Sequence, residues 1–284
     1  MQTEFVILGS SRISYTRWGT GTKLLLCLHG YGESAASFAF LADRLGAEFT
    51  ILAPDLPFHG ATQWDEGLYF DPAGLPDLID KMIAGLRDGG DLSLAGVGLP
   101  IAPDRWWVLG YSMGGRVALS LLEQAPERIA GLILLAPDGL KVNIWYWLAT
   151  QTLPGNRVFR RIMQRPRFFF LILQFADKLK WVNPGIHKFI LRHIDDPQVR
   201  DELYNRWTVM RGFKPDIRSI RSIIRERGLP VSLLYGRHDR IIRPETGERF
   251  RKGIESTCKL YILDAGHALL QPKYMETIAD LLKD

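Results

Sequence analysis

The chain has 284 residues, 46% hydrophobic and 24% charged, with a formal net charge of +5. That balance fits an ordinary globular protein with room for a large core and an insertion, and no repeat or low-complexity tract argues otherwise. The two cysteines, Cys27 and Cys258, are too few and too far apart for a disulfide framework or a zinc site, which fits a reducing compartment. No run approaches the roughly 20 apolar residues of a membrane span, and Phe168–Leu173 comes nearest. Met1–Leu8 has neither a basic start nor a long apolar run. No signal peptide is therefore expected, and the expected location is cytoplasmic.

Phe5–Leu8 and Ile13–Arg17 read as an opening hairpin, followed by the glycine-rich turn Gly19–Gly21. Leu24–Leu28 is a short apolar strand running into His29-Gly30-Tyr31-Gly32. A glycine-rich turn there can aim a backbone N–H at a developing oxyanion, and the Tyr31 N–H is the first candidate donor. A helix is expected near 34–45, then a strand over Thr50–Ala53 that leads into Asp55–Gly60. Asp71–Arg87 reads as a helix with Asp71 as its cap and Pro72 at its first position. Residues 88–104 form a Gly/Pro-rich connection.

Trp106–Leu109 is an apolar, β-prone run, and 113–124 has a helical pattern. Between them lies Gly110-Tyr111-Ser112-Met113-Gly114. A strand that enters a helix through so tight a turn leaves no room for side chains beside the serine, so glycines flank it. The turn lifts the Ser112 hydroxyl off the sheet edge, and the Met113 N–H becomes the second candidate oxyanion donor.

Ile129–Leu135 is a further strand, ending at Ala136-Pro137-Asp138-Gly139. Val231–Tyr235 ends in Gly236-Arg237-His238-Asp239, and Lys259–Leu263 ends in Asp264-Ala265-Gly266-His267. A final helix is expected from about 272. Strands alternating with helices argue for an α/β fold with a mostly parallel sheet covered on both faces. A hydroxyl is a poor nucleophile at neutral pH and needs a base, which in turn needs an orienting group. Asp239 and His267 each sit just past a strand end, where catalytic groups of open α/β sheets gather. The expected catalytic set is therefore Ser112, His267 and Asp239, with Asp138 as the alternative acid. His29 and His59 read as structural hydrogen-bonders and His238 as incidental. Arg116 reads as a brace for the nucleophile helix or a ligand for a substrate carboxylate.

This ordered set, His29–Gly32, Asp55–Gly60, Gly110–Gly115, Gly236–Asp239 and Gly266-His267, resembles the α/β-hydrolase fold superfamily from about residue 5 to the C-terminus. It departs at Phe58, where the family often has glycine, and in the length of the 88–104 connection. The resemblance implies a core domain, 1–139 and 228–284, whose twisted, mostly parallel sheet is flanked by helices. It also implies a helical cap, 140–227, inserted after the sixth core strand and covering the active-site edge. The implied chemistry is hydrolysis of carboxylic esters of apolar acyl or aromatic substrates through an acyl-enzyme, with no metal and no organic cofactor. Two other functions fit the same resemblance. One is a carbon–carbon bond hydrolase or elimination enzyme of aromatic and quinone pathways, which Gly110–Arg116 also resembles. The other is a low-turnover ligand-binding protein.

Charge divides unevenly. Residues 140–228 hold 18 Lys and Arg against 7 Asp and Glu, a net of +11, leaving 18 against 24 elsewhere, a net of −6. The same segment is rich in aromatics. A solvated basic face over an aromatic core accounts for this. So does a substrate with an apolar body and an anionic end, or amphipathic helices resting on an anionic membrane, with Arg157, Arg160, Arg161, Arg165 and Arg167 flanking Phe168–Leu173. Nucleic acid is not an expected partner, because no nucleic-acid motif is present. The expected partner is a small-molecule substrate, and the sequence sets no oligomeric state.

Overall fold

The computed structural model describes residues 2–88, 105–141, 144–165 and 196–282. The connection from residue 89 to 104, the run Phe168–Leu173 and Arg167 lie outside the described residues.

Eight strands form one sheet: β1 (Gln2–Leu8), β2 (Ser11–Trp18), β3 (Lys23–Leu28), β4 (Phe49–Pro54), β5 (Trp106–Tyr111), β6 (Ile129–Leu135), β7 (Val231–Gly236) and β8 (Cys258–Leu263). Their spatial order is β1-β2-β4-β3-β5-β6-β7-β8. The opening hairpin is antiparallel, β2 pairs antiparallel with β4, and the remaining pairings are parallel. Sequences such as Leu24-Leu25-Leu26-Cys27-Leu28 and Leu132-Ile133-Leu134-Leu135 are apolar on both faces and fully buried. That is the pattern of parallel strands with helices on either side.

Register places the site. Leu28 stands opposite Gly110, Gly110 opposite Leu134, and Gly236 opposite Leu263. The turns after β3, β5 and β6 therefore leave the sheet level with one another, and those after β7 and β8 do the same.

Several expected helices open as tighter turns. Residues 34–45 are a 3-10 helix, Ala35–Leu41, followed by one α-turn, α1 (Ala42–Leu45). The Asp71 side chain accepts the Ala73 N–H at 3.0 Å and caps a 3-10 turn, Pro72–Gly74, which runs into α2 (Leu75–Asp88). α3 (Met113–Gln124) begins where the sequence places it. Phe58, the departure from the family's glycine, holds a φ of 62°. That left-handed backbone explains the glycine preference, and here a bulky side chain is held in it.

The chain forms two compact units. One contains Met1–Glu66, Asp71–Lys141 and Gly212–Asp284, and the other Gly67–Phe70 and Val142–Arg211. The second is thus shorter at its C-terminal end than the expected insertion, 140–227. Helix Ile217–Arg227 belongs to the first unit, where Ile220 and Ile224 are buried and the Asp216 N–H donates to Glu123 Oε1 at 3.0 Å. The second unit has its own aromatic core. Phe159 lies 5.5 Å from Tyr204 and 5.7 Å from Trp207 between ring centres, with Met163, Leu203 and Val209 also buried.

Cys27 and Cys258 are buried free thiols. Burial pushes both up, Cys258 to about 12, so neither supplies a thiolate at neutral pH. No helix among the described residues is long and apolar enough to cross a membrane.

Candidate active site

Ser112 sits between β5 and α3 with φ 50° and ψ −114°, a conformation that a residue with a β-carbon adopts only when its surroundings impose it. The Ser112 N–H donates to the Leu135 carbonyl, and the Ser112 carbonyl accepts the N–H groups of Gly115 and Asp138, all at 2.9 Å. Close backbone approach explains the flanking glycines. A β-carbon on Gly110 would lie 2.7 Å from the Gly114 carbonyl oxygen, and one on Gly114 would overlap the Leu28 carbonyl.

The three side chains expected to cooperate meet. His267 Nδ1 lies 2.7 Å from Asp239 Oδ2, and its Nε2 lies 3.1 Å from Ser112 Oγ. Asp239 is buried, and its Oδ1 accepts the N–H groups of Ile241 at 2.8 Å and Ile242 at 2.9 Å. Burial alone would raise this carboxyl. The His267 hydrogen bond, the two N–H donors and the His267 charge outweigh it and hold the group below the ordinary carboxylate range. An ionised Asp239 only accepts, so Nδ1 of His267 carries the proton and Nε2 offers its lone pair to the Ser112 hydroxyl.

The loops bearing acid and base are stitched together. The Arg237 N–H donates to the Leu263 carbonyl and the His238 N–H to the Ala265 carbonyl, each at 2.8 Å. A β-carbon on Gly236 would strike the Gly266 carbonyl oxygen.

A depressed carboxyl contributes stability at neutral pH, where both folded and unfolded forms are ionised. That contribution is lost as pH falls from the unfolded value, about 3.9, through the lower folded value. Asp239→Asn lacks this term. Its melting temperature should therefore fall less than the wild type's between about pH 5 and pH 3, measured by thermal melts across that range.

The alternative acid is engaged elsewhere. Asp138 Oδ2 lies 3.6 Å from Arg116 Nε, and its Oδ1 accepts the Gly139 N–H at 2.8 Å. Arg116, in the first turn of α3, is 6% exposed. His238 Nε2 pairs with Asp264 Oδ1 at 2.7 Å, both exposed. His29 Nδ1 donates to the Gly30 carbonyl at 2.8 Å and its Nε2 accepts the Leu56 N–H at 3.0 Å, which fixes one neutral tautomer. His59 Nδ1 donates to the Pro57 carbonyl at 2.9 Å, with its ring 4.9 Å from that of His29.

Of the candidate oxyanion donors, Met113 is the first residue of α3, whose leading N–H groups have no partner within the helix. Tyr31 lies in the turn after β3, half-buried, with its ring edge-on to His59 at 6.2 Å. That turn passes beside the serine: a β-carbon on Gly30 would lie 3.3 Å from Ser112 Cβ.

Sequence reasoning gave no separate role to two residues that shape this site. Tyr111 sets its ring 5.5 Å from the His267 ring, and its hydroxyl donates to the His267 carbonyl at 3.3 Å. Burial, with Glu33 and Asp239 nearby, pushes that phenol up to about 12. Asp55 is buried, and its carboxylate accepts the Ser14 hydroxyl at 2.6 Å, the Ala35 N–H at 2.7 Å and the Ala61 N–H at 3.0 Å. It ties β2, the start of the helical turn after His29–Ser34, and the loop after β4 to one point. Asp55 lay inside a recognised motif, but only geometry reveals what its carboxylate does.

Comparison with known proteins agrees with this architecture. The dihydrolipoyllysine-residue acetyltransferase component of the acetoin cleaving system of Cupriavidus necator is 29% identical over 136 residues, covering 48% of this chain and 32% of that protein. The chain thus spans about a third of that relative's length. The pimeloyl-(acyl-carrier protein) methyl ester esterase of Nitrosomonas europaea is 26% identical over 256 residues, covering 88% of this chain and 90% of that protein. Among solved structures, a thermophilic esterase from Thermogutta terrifontis with malate bound superposes with a TM-score of 0.66 at 20% identity, covering 100% of this chain and 98% of the other, a likeness of fold. The model of the alpha/beta hydrolase family matches residues 25–281, and the chain belongs to that family.

Proposed function

We propose that this protein is a serine hydrolase that cleaves carboxylic esters of apolar acyl or aromatic substrates. The observation that carries the reading is the continuous line Asp239–His267–Ser112, with contacts of 2.7 and 3.1 Å, at the C-terminal edge of the sheet. His267 takes the hydroxyl proton as Ser112 Oγ attacks the ester carbonyl carbon. The N–H groups of Tyr31 and Met113 receive the oxyanion, each contributing about 3 kcal/mol. Asp239 stabilises the imidazolium, which then protonates the leaving alkoxide. Water, activated by the same imidazole, resolves the acyl-enzyme to acid and free Ser112.

Esterases among the relatives support ester chemistry. The carbon–carbon and elimination readings rest on the resemblance of Gly110–Arg116, whose candidate carboxylate ligand, Arg116, lies 3.6 Å from Asp138.

A nitrophenyl ester series from acetate to palmitate, with wild type and Ser112→Ala, tests the proposal. Turnover that Ser112→Ala abolishes is expected, with the best chain length sizing the acyl pocket. A folded Ser112→Ala variant that still hydrolyses the esters at the wild-type rate would overturn it.

A further inference from the structure

Within the second unit, α4 (Ile144–Gln151) exposes its large apolar residues. Its inward side carries Tyr146, whose ring lies edge-on to Trp207 at 5.4 Å, and Thr150. Thr150 is 1% exposed with its hydroxyl on the Tyr146 carbonyl at 2.8 Å, and the Tyr146 hydroxyl donates to the Trp207 carbonyl at 3.2 Å. Its outward side holds large apolar residues: Ile144 is 64% exposed, Trp145 76%, Trp147 45% and Leu148 40%. At helical spacing these four occupy one continuous arc. A face of this kind calls for something other than water against it.

The adjoining helix, α5 (Leu153–Gln164), supplies the second observation. Leu153 and Val158 are also exposed on it. Arg157, Arg161 and the capping residue Arg165 follow at four-residue spacing as one exposed stripe. No acidic residue occurs from Gly139 to Ala176. A second copy of the chain is a poor occupant, because symmetric pairing would bring arginine stripe against arginine stripe. Tryptophan and aliphatic side chains on one helix and an exposed arginine stripe on the next match the boundary between acyl chains and anionic headgroups.

We infer that α4 and α5 form a docking surface for an anionic lipid bilayer, with Ile144, Trp145, Trp147 and Leu148 entering the interface and Arg157, Arg161 and Arg165 meeting the headgroups. The inference does not depend on the ester chemistry.

Co-sedimentation with sucrose-loaded vesicles tests it, using phosphatidylcholine alone and phosphatidylcholine with phosphatidylglycerol. Wild type should pellet with the anionic vesicles, less so as salt rises, with a blue shift in tryptophan emission. Trp145→Ser with Leu148→Ser should weaken partitioning at least tenfold. Arg157→Gln with Arg161→Gln and Arg165→Gln should weaken it on the order of 100-fold, about fivefold per arginine. The second variant changes only exposed side chains and serves where the first is poorly folded, and melting temperature checks both. Failure of wild type to pellet with anionic vesicles at low salt would overturn the inference. So would equal pelleting of the arginine variant, or a wild-type dimer that Trp145→Ser disperses.

Discussion

His267→Ala should lower kcat for ester hydrolysis by about a million-fold while KM changes little. In the proposed mechanism the imidazole acts on the transition state, taking the Ser112 proton across 3.1 Å, and contributes little to ground-state binding. Ser112→Ala should cost about as much, and the double variant no more than either single one, because the two groups act as a unit. Asp239→Ala should cost less, about 10,000-fold, since it orients and stabilises the imidazole without touching the substrate. Steady-state kinetics on one nitrophenyl ester, with melting curves to establish folding, checks the series. Multiplying losses in the double variant would mean that the residues act separately.

Asp55→Ala should produce the largest loss of stability for a residue outside the catalytic line. The substitution leaves the Ser14 hydroxyl and the Ala35 and Ala61 N–H groups without their buried acceptor. The Ser14 hydroxyl keeps Thr62 Oγ1 at 3.2 Å, and the two orphaned N–H groups cost roughly 1–3 kcal/mol each, which together puts the loss on the order of 2–6 kcal/mol. For a chain of this size that lowers the melting temperature by about 3–10 °C. Activity should fall as well, by about 10- to 100-fold, because the turn carrying Tyr31 loses its anchor at Ala35. Asp55→Asn keeps one acceptor oxygen and turns an amide N–H₂ toward donors, so it should fall between wild type and Asp55→Ala. Thermal melts and ester kinetics on the same samples measure both effects. A melting temperature for Asp55→Ala within about 1 °C of wild type would contradict this account of the network.

The parallel strands were legible because burial on both faces writes a continuous apolar run, and because each run ends in a turn of recognisable composition. Ile129–Leu135 and Met113–Gln124 fall where the sequence places them. The spacing of Ser112, Asp239 and His267 was legible only as an order along the chain. The meeting of their side chains depends on the register of β5, β7 and β8 and on close approaches such as Gly236 against Gly266. The second unit was harder to delimit. Helix Ile217–Arg227 is basic and amphipathic like α5, and no local signal separates them. What assigns it to the first unit is the burial of Ile220 and Ile224 and the hydrogen bond from Asp216 to Glu123. Gly67–Phe70 joins the second unit through a contact distant in sequence, the Phe70 N–H to the Val209 carbonyl at 3.0 Å. Tyr111 and the Asp55 carboxylate carried no signal of their roles, since neither a ring beside an imidazole nor a shared acceptor has a sequence pattern.

In the proposed mechanism Ser112 is a nucleophile activated by His267. The most direct test of that role is intact-protein and peptide mass spectrometry after treatment with a fluorophosphonate. The account predicts one phosphonyl adduct per chain, on the peptide containing Ser112, formed far more slowly in His267→Ala. A folded wild-type protein with no adduct, or with its adduct on another residue, would contradict it.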